Sequence, residues 1–156
     1  MFNLSKTFVT LLYIGYSKII PGTIGSFVAF IVIFFINTYF DKVFLYILFI
    51  VFLFVSLFLI NVYQKNVGKY DPSEIVVDEF LGVFIIFLFI DYFNKLNDYT
   101  IFILGFLFFR FFDILKPFPI NWIDKKIKNS FGIIIDDIIA GIYSVICLII
   151  TNEFIL

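Results

Sequence analysis

The sequence predicts an all-α integral membrane protein with about five transmembrane helices, and three observations carry that expectation. Of its 156 residues, 63% are hydrophobic and 15% charged, with a mean hydropathy of +1.12, against about 45–50% apolar and about 25% charged in soluble domains. Uncharged apolar stretches recur along the chain, and a helix needs roughly 20 such residues to cross about 30 Å of hydrocarbon. The basic residues then fall overwhelmingly on one side of the layout these stretches define. At this length a single domain over residues 1–156 is expected.

Taken in order, the first twenty residues lack the long apolar core and small-residue cleavage site of a signal peptide, so they are expected to be retained. Leu4, Phe8, Leu11 and Leu12 repeat at helical spacing opposite Lys6, Thr7 and Thr10, which suits an interfacial helix. Ile24 to Phe40 and Val43 to Val62 are full-length spans with no internal charge. Three later segments reach spanning length only when charged residues at one end are counted in: Asp78 to Phe93, Thr100 to Leu115, and Phe131 to Thr151. Between the last two, Pro119 to Asn129 sets Trp122, Ile123 and Ile127 against Lys125, Lys126 and Lys128, a second interfacial helix whose basic side suits anionic headgroups.

The connections Asp41-Lys42 and Asn94 to Asp98 are short, so neighbouring helices are expected to run antiparallel. With the N-terminus inside, nine basic residues lie on the cytoplasmic side, while only Lys42 and Lys95 lie outside. This bias predicts a multi-pass inner-membrane protein with a cytoplasmic N-terminus.

Several function classes are excluded by what is missing. The chain has no histidine, which removes imidazole acid–base catalysis and His metal ligands. The single Cys147 lies in the apolar run VICLII with no basic neighbour, as a small hydrophobe and not a nucleophile. A net charge of −1 offers no basic surface for nucleic acid. The 26 phenylalanines reflect general apolar bias and mark no aromatic site.

The acids carry the functional signal. Asp41, Asp91, Asp98 and Glu153 fall at the outer helix ends, whereas Asp78, Glu79, Asp113, Asp136 and Asp137 fall at the inner ends of three separate segments. A carboxylate facing lipid there would cost roughly 2.5–3.5 kcal/mol at the bilayer centre, so these five are expected to face one another. Like charges sharing one polar mouth repel unless a cation sits among them. Oxygen-only donors select a hard ion, with Mg²⁺ the usual intracellular choice. Each acid taken singly has the plainer reading of a helix cap or an ion-pair partner. Arg110, three residues before Asp113 on the same helix face, offers a bidentate fork for phosphate, and Lys116 a point charge. Pro21-Gly22-Thr23-Ile24-Gly25-Ser26 opens the first span with two glycines, two hydroxyls and a helix N-terminus that can present N–H groups to phosphate. Gly82, Ala140 and Gly141 lie within one turn of the acid pairs, where small residues let helices approach closely.

Four blocks in order, PGTIGS from Pro21, DPSEIVVDEFLG from Asp71, RFFDILKPFP from Arg110 and FGIIIDDIIAG from Phe131, resemble the phosphatidylglycerophosphatase A family from the first span to the last. The resemblance implies a Mg²⁺-dependent phosphatase that hydrolyses the terminal phosphomonoester of phosphatidylglycerophosphate at the inner membrane, giving phosphatidylglycerol and inorganic phosphate, with its active site on the cytoplasmic side. It implies Asp78, Glu79, Asp113 and Asp137 as catalytic residues, these four with Asp136 as metal ligands, and Arg110, Lys116, Thr23 and Ser26 as phosphate binders. Pro72 departs from the polar residue expected after Asp71, and Asp71 stays outside that set. Soluble all-helical relatives leave half-insertion of one or two short spans open. Two other classes stand beside this one. CDP-alcohol phosphatidyltransferases also ring divalent metal with membrane carboxylates, but their DGxxAR signature is missing. A divalent-ion transporter would also place acids in membrane helices, though here none lies in mid-membrane.

Overall fold

The computed structural model describes residues 1–154, and their regular structure is helical. Seven α-helices follow in order: α1 Phe2–Val9, α2 Pro21–Tyr39, α3 Lys42–Val67, α4 Val77–Leu88, α5 Asp98–Leu115, α6 Ile120–Lys126 and α7 Ser130–Phe154. Single 3-10 turns lie at Ile14–Tyr16 and Ile90–Tyr92.

Local chemistry sets the boundaries. Pro21 starts α2, where a missing N–H costs nothing. The Asp41 side chain caps α3 by accepting from the Phe44 amide at 2.8 Å. Asn97 caps α5 from Thr100 N at 2.9 Å, and Asn129 accepts from Gly132 N at 3.0 Å at the start of α7. Gly68, at φ 73°, ends α3 in the left-handed conformation that glycine adopts freely. Pro117 follows the end of α5 and forbids its continuation.

α2, α3 and α7 are long and apolar enough to cross a membrane. Two of the five expected spans fall short of that measure. α4 has 12 residues, about 18 Å at 1.5 Å per residue, and α5 carries Asp98, Arg110 and Asp113 within its 18 residues. Even so, the five longer helices alternate in direction between the same two ends. At one end Lys42 Nζ donates to the Phe87 carbonyl at 3.1 Å and pairs with Asp91 at 3.3 Å, while Lys95 pairs with Glu153 at 3.4 Å. At the other end the starts of α2, α4 and α7 meet the close of α5.

α4 is the central element. Every one of its residues is buried except Asp78 and Glu79, so its apolar flanks are covered by protein and its two acids look into the polar end. It packs on α7, α2, α3 and α5, with Phe80, Phe84 and Phe87 inside the main core beside Phe30 and Phe109. Two glycines set the α4–α7 spacing. A β-carbon on Gly141 would stand 2.3 Å from the Gly82 carbonyl oxygen, and one on Gly82 would stand 2.6 Å from the Asp137 carbonyl oxygen. This close approach, possible only without side chains, brings the acids at the start of α4 against those of α7.

The N-terminal helix differs from its sequence expectation. α1 stops at Val9, and Leu11, Leu12 and Tyr13 take left-handed conformations. Thr10, read as part of a polar face, is wholly buried. The reason is a tertiary clamp: Val76 N donates to the Val9 carbonyl at 3.0 Å, and Gly15 lies directly against the Glu74 carbonyl. The chain therefore turns to hold the segment before α4. The second short helix, α6, falls inside its expected range, with Ile123 buried and Trp122 exposed.

Candidate active site

The polar end holds a pocket of about 160 Å³ lined by acids from four helices, α4, α5, α6 and α7, and from the loop before α4. One carboxylate oxygen from each of Asp78, Glu79 and Asp137 lies within 4.8 Å of the others. Asp78 and Glu79 occupy the first turn of α4, where the helix N-terminus favours negative charge. Asp137 stands in the second turn of α7 and is only 4% exposed. Asp78 Oδ1 and Glu79 Oε2 are buried and have no hydrogen-bond partner among the described residues. A buried carboxylate oxygen without a partner is costly, so this trio is an oxygen-only donor set suited to a hard divalent cation.

Asp113 and Asp136 line the same pocket. All five acids expected from the sequence therefore meet in one place, though Asp113 and Asp136 are engaged by cations of the chain itself. Arg110 Nη1 pairs with Asp113 and also donates to Ser26 Oγ at 3.2 Å. Ser26 in turn donates to the Gly22 carbonyl at 2.7 Å. Gly22 is pressed against the site: a β-carbon there would meet Glu79 Oε1 at 2.2 Å and Arg110 Nη1 at 3.4 Å. The opening turn of α2 thus touches the site by close backbone approach. Thr23, one residue on, is half-buried and, like Ser26 and Arg110, stands behind the pocket wall; of the expected phosphate binders Lys116 lines the pocket itself.

Lys116 ends α5 in a left-handed conformation, φ 43°, an uncommon geometry for a residue with a side chain. Its ammonium donates to Asp136 Oδ2 at 2.7 Å and Asp124 Oδ1 at 3.0 Å. Burial alone would lower the Lys116 pKa, but Asp136 and Asp124 outweigh it and hold the ammonium well above the ordinary lysine range.

Two wall acids were missing from the expected set. Asp71 and Asp124 both line the pocket, and so does Pro72. The loop carrying Asp71 is fixed by its neighbour Tyr70, whose hydroxyl donates to the Ile127 carbonyl at 2.6 Å beneath the Lys128 ammonium, 4.8 Å from the ring centre. A larger apolar cleft lined by Phe34, Asp98, Tyr99 and Phe102 lies at the opposite end of the bundle and holds none of these residues.

Residues 7–152 match the family model described as phosphatidylglycerophosphatase A. The chain belongs to that family. A phosphatidylglycerophosphatase A of Haemophilus influenzae is 51% identical over 81 residues, 52% of this chain, and that match spans about half, 47%, of the relative's own length. A phosphatidylglycerophosphatase A of Escherichia coli is 34% identical over 135 residues, covering 83% of this chain and 73% of the relative. A Bacteroides thetaiotaomicron protein named "Putative phosphatidylinositol-3-phosphatase" is 33% identical over 135 residues, 85% of this chain and 83% of that protein. No solved structure matches the chain. The family match runs through all four sequence blocks, so the pocket is assembled wholly from phosphatidylglycerophosphatase A sequence.

Proposed function

We propose that the chain is a Mg²⁺-dependent phosphatase of the bacterial inner (cytoplasmic) membrane. It removes the terminal phosphate of phosphatidylglycerophosphate, leaving phosphatidylglycerol and inorganic phosphate. Family membership supplies the reaction, and the observation that carries the chemistry is the Asp78, Glu79 and Asp137 trio with its unpartnered buried oxygens. Asp78, Glu79 and Asp137 would hold the cation, with Asp113 and Asp136 beside them. Mg²⁺ bound there would offset the charge on the phosphate oxygens and activate phosphorus toward water.

The chain's own residues supply the remainder. Arg110, held by Asp113 and Ser26, presents a rigid guanidinium to the transferring phosphoryl group, and Lys116 adds a second fixed positive charge. Phosphoryl transfer depends mainly on positioning and electrostatics, so two cations fixed by neighbouring carboxylates suit it. A carboxylate of the cluster accepts the proton of the attacking water, and the departing alcohol oxygen takes one up. The pocket is too small for acyl chains, which remain in the bilayer while the headgroup enters.

In this reading α2, α3, α4, α5 and α7 are five crossings, with α4 short because it is shielded by protein on every side. The polar end faces the cytoplasm, since the basic residues gather there and only Lys42 and Lys95 lie at the other end.

The test is phosphate release by the purified chain in mixed micelles. Release from phosphatidylglycerophosphate with Mg²⁺, abolished by EDTA and restored by added Mg²⁺, is expected. The relative named for phosphatidylinositol-3-phosphate sets the second reading, and faster release from that lipid would replace the headgroup assignment. No release from either lipid would overturn the function.

A further inference from the structure

Asp124 lies outside the acid trio, on the short surface helix α6, yet it reaches the pocket. It meets Lys116 there. The ammonium has three N–H donors, of which Asp136 takes one at 2.7 Å and Asp124 another at 3.0 Å. One donor remains, on an ammonium that itself lines the pocket. Two features show that this arrangement is built. Lys116 holds an uncommon left-handed backbone, secured by its amide donating to the Phe112 carbonyl at 2.9 Å, which turns the side chain toward α6 and α7. α6 is fixed in turn: Tyr70 bonds to the Ile127 carbonyl and Tyr143 to the Phe118 carbonyl at 2.9 Å, while Ile120 and Ile123 are buried.

We infer that Asp124 is a positioning residue of the site: with Asp136 it fixes the Lys116 ammonium so that its remaining N–H meets the phosphoryl group. The inference rests on the phosphatase reading above. A bond between fixed groups costs little reorganisation during reaction, and its benefit is largest where charge develops. Removing Asp124 also removes a negative charge from an anion site, so substrate binding is not expected to weaken. The loss falls on turnover. A surface ion pair that merely fastens α6 would lower thermal stability and leave turnover per folded molecule unchanged.

The experiment is a double-mutant cycle on the full chain, measuring kcat, KM, inhibition by inorganic phosphate and melting temperature. Asp124→Asn is expected to lower kcat about tenfold while KM and the inhibition constant for phosphate change less than about threefold. Combined with Lys116→Ala, Asp124→Asn is expected to lower kcat by less than about twofold more, because the ammonium it positions is gone. Asp124→Glu, which keeps the charge, is expected to recover most of the turnover. An equal kcat loss from Asp124→Asn in both backgrounds, a loss that only tracks melting temperature, or unchanged kcat overturns the inference. Wild-type phosphate release is the control: its absence defeats the phosphatase reading, whereas release with an additive cycle defeats only this one.

Discussion

Gly82 and Gly141 meet backbone to backbone, the Gly82 carbonyl oxygen occupying the space where a β-carbon on Gly141 would stand. One turn further toward the polar end the same two helices carry Asp78 and Glu79 on one side and Asp137 on the other. The spacing of the acids is thus fixed by the contact of the glycines.

The first prediction follows from this contact. Gly141→Ala places a methyl 2.3 Å from backbone, which cannot swing aside as a side-chain tip would. The helices must part, at a cost of about 1–3 kcal/mol, and the acid trio spreads with them. A lower melting temperature together with reduced phosphate release per folded molecule is expected. A variant with wild-type stability and rate would show that the helices are not held at this distance.

Arg110 joins α5 to α2 through Ser26 and at the same time pairs with Asp113. Lysine has the charge but not the planar fork. Arg110→Lys is therefore expected to lower kcat/KM about 10- to 100-fold with little change in melting temperature, and Ser26→Ala to have a smaller effect in the same direction. Kinetics in mixed micelles decide this, and near-normal kcat/KM in Arg110→Lys would remove the guanidinium from the mechanism.

Lys116 sits between two carboxylates that hold its pKa above the ordinary lysine value, itself about 10.4. The raised pKa means that the ammonium stays charged in the folded protein while pH rises through the usual lysine range. Its ion-pair stabilisation is complete below that range and is lost only above it. The pH–rate profile between about pH 7 and pH 10 is accordingly expected to keep its shape in Lys116→Arg. An alkaline limb present in the wild type and absent from the arginine variant would mean that Lys116 titrates in that window.

Orientation is open to labelling. In a Cys147→Ser background, Asn94→Cys marks the end bearing Lys42 and Lys95, and Asn129→Cys the end bearing the acids. An impermeant maleimide added to intact cells is expected to label Asn94→Cys and spare Asn129→Cys until the membrane is opened. The reverse pattern would put the site on the outer face.

How much of this was legible in the sequence depends on what each feature rests on. The long helices were, because apolar runs opening at Pro21, Asp41 and Asn97 state where they begin, although α3 runs on past the expected Val62 to Val67. The gathering of Asp78, Glu79, Asp113, Asp136 and Asp137 was also legible, since a bilayer leaves carboxylates at helix ends few places except one another. Asp71 and Asp124 were not. One lies in a loop and the other on a seven-residue helix, and neither periodicity nor lipid exclusion dictates where such segments fold back. Their placement depends on tertiary bonds such as Tyr70 to Ile127. The early end of α1 has the same cause, with Val9 and Gly15 recruited to hold the loop before α4 against the helical repeat of Leu4, Phe8, Leu11 and Leu12. Gly22, beside Thr23, was read only as part of a helix opening, and its close approach to Glu79 and Arg110 depends on how α2 packs against α4 and α5.

The central claim is that Asp78, Glu79 and Asp137 share one divalent cation, and Mn²⁺ binding followed by electron paramagnetic resonance tests it without reference to turnover. Wild-type protein in detergent is expected to bind Mn²⁺ in competition with Mg²⁺, and Asp137→Asn and the Asp78→Asn, Glu79→Gln pair are each expected to lose that binding while remaining folded. Undiminished Mn²⁺ binding in folded variants lacking these carboxylates would contradict the account.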